Sequence, residues 1–149
     1  MTQKEQLFES CETYLNERID RISAALKDLE ADLENETKSS AGDKYETGRE
    51  MINLEWNKLS VQLQQFRRLN ETLEMAKSRP VTGSIQLGSL VQTSVANYFI
   101  AIPAGQVKLG EDIFFCIGAN SPIAQVFLGK RQGDALNFNG KQLSILSVE

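Results

Sequence analysis

Apolar residues in the first half of the chain recur with a helical period. Leu15, Ile19, Ile22, Leu26, Leu29 and Leu33 are separated by alternating steps of four and three, the repeat of a coiled-coil seam. Leu7, with Phe8 or Cys11, extends this stripe backward. A second stripe runs through Ile52, Trp56, Leu59, Leu63, Phe66, Asn70 and Leu73, with Tyr45 one heptad upstream. Between the stripes, Asn35 to Gly42 is small and polar with no periodicity, which is a turn signal. The pattern predicts an antiparallel helical hairpin whose arms, about 30 to 35 residues each, span roughly 50 Å. A rod of that length projects from a small globular neighbour, with its tip near residues 36–43. An intermolecular coiled coil is the alternative. Asn70 lies on the second stripe, either as a buried polar residue that fixes register or as a partly exposed one near the hairpin base.

The second half has a different rhythm. Ser84 to Val95 and Tyr98 to Ile102 read as strands around a turn at Ala96-Asn97, the second ended by Pro103-Ala104-Gly105. Ile113 to Ile117 is an apolar run of the buried-strand type. Ala135 to Phe138 and Gln142 to Val148 form a hairpin over Asn139-Gly140, a strong tight-turn signal. Ser121-Pro122 before Ile123, Ala124, Val126, Phe127 and Leu128 reads as one short helix, with Ser121 as N-cap, Pro122 in the first turn and Gly129 as C-cap. The expected fold class is α+β: a coiled-coil hairpin over 1–79, then a small antiparallel β domain with one short helix over 80–149.

Composition supports this division. Residues 1–79 hold 12 Lys/Arg and 16 Asp/Glu, so they carry all of the net charge of −4, whereas residues 80–149 hold four of each. Eight of the 10 glycines and all 3 prolines fall in the second half. The acidic balance argues against free DNA or an anionic membrane surface as the main partner. The chain contains no histidine, which excludes Ser-His and Cys-His nucleophilic pairs. Cys11 and Cys116, far apart and in no ligand-like spacing, read as reduced thiols, with a disulfide the less favoured option. The charged N-terminus lacks a secretion-signal core and no apolar run suits a membrane span, so the expected location is cytoplasmic.

The segment from Asn120 to Asp134 (NSPIAQVFLGKRQGD) resembles the C-terminal signature of the bacterial GreA/GreB transcription elongation factors: a serine-proline, a helix, Leu-Gly-Lys and Gly-Asp. The likeness continues through Gly88-Ser89-Leu90-Val91 and Leu143 to Val148. Lys44-Tyr45-Glu46-Thr47-Gly48-Arg49-Glu50 is similar to the start of that family's second hairpin helix. The resemblance implies an FKBP-like C-terminal domain and a hairpin inserted into the secondary channel of RNA polymerase. Acidic tip residues in that family help to hold a metal ion for cleavage of backtracked RNA, so the active site belongs to the polymerase and the chain is not itself an enzyme. RNA is then met only through the polymerase, and Mg²⁺ only within its active site, with no stably bound cofactor. The region of Asn120, Ser121, Pro122 and Lys130 is the implied docking surface.

One departure stands out. Counting back from Tyr45, the positions of the family's acidic pair fall on Lys38 and Ala41, and neither a cation nor a methyl group binds Mg²⁺. The nearby acids are Glu34, Glu36, Asp43 and Glu46, of which Asp43 and Glu46 are three apart, with Tyr45 between them. The first reading of that spacing is a capping box for the second helix, and the second is a tentative metal site shared with the polymerase. Weak or absent cleavage is therefore expected. Two other readings follow: a channel-binding regulator that does not stimulate cleavage, and, less favoured, an FKBP-like prolyl isomerase or chaperone. Lys130-Arg131 has a solvated basic pair as its alternative, and Trp56 and Cys116 read as core.

Overall fold

A computed structural model of the chain describes residues 1–38 and 42–149, with side chains at 1–35 and 48–149. Two long helices come first, α1 (Gln3–Lys38) and α2 (Gly42–Ser78). A six-stranded sheet and one short helix follow. The fold is α+β, with an N-terminal helical hairpin. α1 runs through Asn35 to Lys38, into the stretch predicted as a turn, because polar residues without Gly or Pro do not stop a helix. Among the described residues no helix is long and apolar enough to cross a membrane.

The chain packs as two units, one comprising 15–69 and the other 1–14 with 70–149. The second unit therefore contains the base of the hairpin as well as the sheet. In the unit 15–69 the stripes face inward: Leu15, Ile22 and Leu63 are buried, while Ile19, Leu26, Leu29, Ile52, Trp56, Leu59 and Phe66 are half-buried. Asn70 is exposed, which settles the two readings of that position. Leu69 takes the inward step between Phe66 and the buried Leu73.

In the other unit the strands are β1 (Leu90–Thr93), β2 (Asn97–Ala101), β3 (Gly105–Leu109), β4 (Asp112–Gly118), β5 (Ala135–Phe138) and β6 (Lys141–Val148). Their spatial order is β3-β4-β2-β1-β6-β5. All pairs are antiparallel except β2 with β4, which run parallel, with β3 serving as the crossover and then forming the edge. The expectation of an all-antiparallel sheet is corrected at that pair. The strand predicted over Ser84–Val95 is confined to Leu90–Thr93. Gly88 turns the chain with φ +95°, and Thr93 closes the turn to β2, its hydroxyl donating to the Ala96 carbonyl at 2.7 Å and accepting from Ala96 N–H at 3.0 Å. The predicted hairpin over Asn139 and Gly140 is present, both residues having positive φ (52° and 79°).

Helices pack on both faces of the sheet. α3 (Pro122–Phe127) lies on one face, where Ala124 and Phe127 are buried with Ile85, Val91, Ile100, Leu136, Leu143 and Ile145. On the other face Leu90, Phe99, Phe114 and Cys116 are buried, together with Leu7, Phe8, Cys11, Leu73 and Ala76 of the hairpin base. Phe8 meets Phe99 edge to face at 4.9 Å between ring centres, a favoured aromatic geometry. Gly88 sits so close to α2 that a Cβ there would stand 2.6 Å from the Ala76 carbonyl oxygen.

Candidate functional site

The signature residues form one hydrogen-bonded module. Ser121 caps α3: its side-chain oxygen accepts from Ala124 N–H at 3.3 Å and donates to the Gly118 carbonyl at 2.8 Å. Pro122 occupies the first turn, where its missing N–H costs nothing. Gln125 reaches back to the Ala119 carbonyl at 2.6 Å. The helix ends at Leu128, and Gly129 follows with φ +86°. Gly129 N–H then bonds the Ile85 carbonyl at 2.9 Å, and Ile85 N–H bonds the Lys130 carbonyl at 2.8 Å. Arg131 N–H donates to the Asp134 carboxylate at 2.8 Å, and Asp134 N–H returns to the Arg131 carbonyl at 3.0 Å. Ser121, Gln125, Gly129, Arg131 and Asp134 thus have structural tasks, while Asn120 and Pro122 are exposed and Lys130 is half-buried.

Beside this module an apolar strip opens at the sheet edge. Phe127 is buried and its ring lies 5.1 Å from that of Tyr98, which lies 5.8 Å from that of Phe115. Burial pushes the Tyr98 hydroxyl above its ordinary pKa. Phe115 and Ile113 are 38% and 41% exposed, flanked in register by Gln106 and Lys108 of β3. This corrects the expectation that Ile113–Ile117 is wholly buried: Phe114 and Cys116 point into the core and Ile113 and Phe115 do not. The cause is cover, since α3 with its six residues is only about 9 Å long and does not reach the far end of β4. From Ile113 to Gly118 the strand advances roughly 16 Å, which places the strip at one end of β4 and Asn120 just past the other.

The tip candidates Asp43, Tyr45 and Glu46, with Lys38 and Ala41, lie outside the residues whose side chains are described. Among the described residues no three His, Cys, Asp or Glu side chains are grouped to hold a metal ion. Trp56 is half-buried on its stripe, as expected of a packing residue.

A feature that the sequence did not reveal is the meeting of Cys11 and Cys116. Both are free and buried, and their thiols lie close enough for each to shift the titration of the other. That proximity holds Cys116 below the ordinary thiol range and pushes Cys11 well above it, with burial adding to the rise. The available signals were the place of Cys11 beside the first stripe and of Cys116 between Phe114 and Phe115, which mark each as core but do not pair them. Neither a protein-family model, nor a curated protein, nor a solved structure matches the chain.

Proposed function

We propose that the chain is a Gre-like transcription factor that binds RNA polymerase and places the tip of its helical hairpin in the secondary channel to modulate elongation. The observation that carries this reading is the combination of a long antiparallel hairpin with a C-terminal domain in which Ser121 to Asp134 folds as a single capped, cross-bonded module. A rigid turn loses little freedom on binding, so Asn120 and Pro122 suit a preorganised contact at the channel rim. The exposed Phe115 and Ile113, at the opposite end of β4, offer a separate apolar area that suits a second part of that interface.

A second reading, a channel-binding regulator that does not stimulate cleavage, is favoured by Lys38 and Ala41 at the resembled acidic positions. One assay separates the two: RNA release from a stalled, backtracked bacterial polymerase with and without the protein. Faster appearance of short 3′ fragments supports the cleavage-stimulating reading. Unchanged cleavage combined with altered elongation supports the regulator. No effect of any kind on a complex that the protein saturates overturns both.

A further inference from the structure

Cys11 and Cys116 are brought together by two matching spacings. Phe99 and Cys116 are register partners in the parallel β2–β4 pair, so their side chains share a face about 4.8 Å apart. Phe8 and Cys11 are three residues apart on α1, a spacing that sets side chains about 5–6 Å apart on one helix face. Seating Phe8 against Phe99 therefore sets Cys11 over Cys116. The two residues are 0% and 3% exposed, which excludes bulky disulfide reagents. On one side, however, no β3 side chain covers Cys116. The edge-strand partner of Cys116 is Gly105, and a Cβ there would meet nothing within 4 Å.

We propose that Cys11 and Cys116 form a redox-modification site, a dithiol that hydrogen peroxide oxidises to an intramolecular disulfide tying α1 to β4. Hydrogen peroxide is neutral and small enough to enter past Gly105. The Cys116 thiolate attacks one peroxide oxygen, the O–O bond breaks, and the departing hydroxide takes a proton to become water, leaving a sulfenic acid. The Cys11 sulfur then attacks the Cys116 sulfur, the S–O bond breaks as the S–S bond forms, and the proton of Cys11 leaves with the hydroxyl as a second water. Two thiols lose two electrons and two protons, and one peroxide becomes two waters. The uncovered Gly105 position lies beside Cys116, whereas Cys11 is wholly enclosed, which assigns the roles, Cys116 as attacking and Cys11 as resolving sulfur, and the neighbouring Cys11 thiol favours the Cys116 thiolate. The site is independent of what the hairpin tip does.

The test uses the reduced full-length chain. It is exposed to hydrogen peroxide, denatured, alkylated with iodoacetamide and weighed intact, with peptide mapping under non-reducing conditions. The expected product is a monomer that has lost two hydrogens, takes up no alkyl group, contains a Cys11–Cys116 linked peptide, and becomes doubly alkylated if dithiothreitol precedes alkylation. In Cys11→Ser, dimedone labels Cys116; in Cys116→Ser, Cys11 remains a thiol. A doubly alkylated monomer after peroxide, linkage only between two chains, or preferential labelling of Cys11 would each overturn the proposal. The mass measurement on the unaltered chain needs neither variant to fold.

Discussion

Replacing Gly88 by alanine tests how the sheet is seated on the hairpin base. Two costs combine at this position. The φ of +95° is strained for any residue with a Cβ, by about 1–2 kcal/mol. The added methyl also stands 2.6 Å from the Ala76 carbonyl oxygen. Relieving that contact means moving backbone against backbone by about 0.4 Å or more, in the range of overpacking penalties of about 1–3 kcal/mol. Lower entropy in the unfolded chain returns about 0.4–1 kcal/mol. The sum is a destabilisation of about 1–4.5 kcal/mol, a large share of the roughly 5–15 kcal/mol that holds an ordinary domain together. Gly105→Ala is the control, because its φ is +78° but a Cβ there meets nothing within 4 Å. It carries the dihedral cost alone, about 1 kcal/mol after the same entropic return. Urea unfolding followed by circular dichroism measures both. If the two variants lose the same stability to within about 0.5 kcal/mol, the close approach of Gly88 to α2 is refuted.

Further outcomes are expected. Ser121→Ala should cost about 1 kcal/mol by loss of the cap, measured by the same unfolding experiment, and polymerase affinity should fall no more than that loss of folded protein explains. Asn120 and Pro122 variants that remain folded should lose polymerase affinity in a direct binding assay; unchanged affinity removes this loop from the interface. Phe115→Ser, which removes a ring covered over most of its surface and packed on Tyr98, should cost about 1–3 kcal/mol of stability and weaken the polymerase complex by more than that loss of folded protein explains. Peroxide oxidation of the dithiol should accelerate as pH rises and level off below the ordinary thiol range, since the thiolate is the nucleophile and Cys116 titrates low; a midpoint at or above that range contradicts the assigned roles. Any residual cleavage stimulation should disappear in Asp43→Asn combined with Glu46→Gln, read from RNA release, whereas strong activity that survives would place the tip carboxylates at Glu34 and Glu36.

The helices were legible because a seam repeats: each step between Leu15 and Phe66 is a separate confirmation of the same period. Of the two readings of Asn70 the exposed one holds, and Leu69 takes the inward step of three after Phe66; the departure is at the turn, where α1 continues to Lys38. Motifs with local chemistry were also legible, as with the Ser121-Pro122 cap and the Asn139-Gly140 turn, since their partners lie within a few residues. What escaped was non-local or depended on cover. Edge strand β3 is half exposed, so it lacks the alternation that marks a strand with one buried face. Ile113 and Phe115 look like core in sequence and are exposed because α3 is short. The parallel pairing of β2 with β4 follows from the route of β3 around the edge, which no local pattern encodes. The meeting of Cys11 with Cys116 required both the register of that pair and the seating of Phe8 on Phe99.

The central claim is that this chain binds RNA polymerase with its hairpin tip in the secondary channel. The most direct measurement places a photo-crosslinking amino acid at position 40 and irradiates the protein with a stalled, backtracked bacterial elongation complex. Mass spectrometry of the linked peptides then identifies what the tip touches. Binding in the channel gives crosslinks to the residues lining the secondary channel near the polymerase active centre, diminished by an excess of the unlabelled chain. Crosslinks confined to the outer surface of the polymerase, or no complex at all, would contradict it.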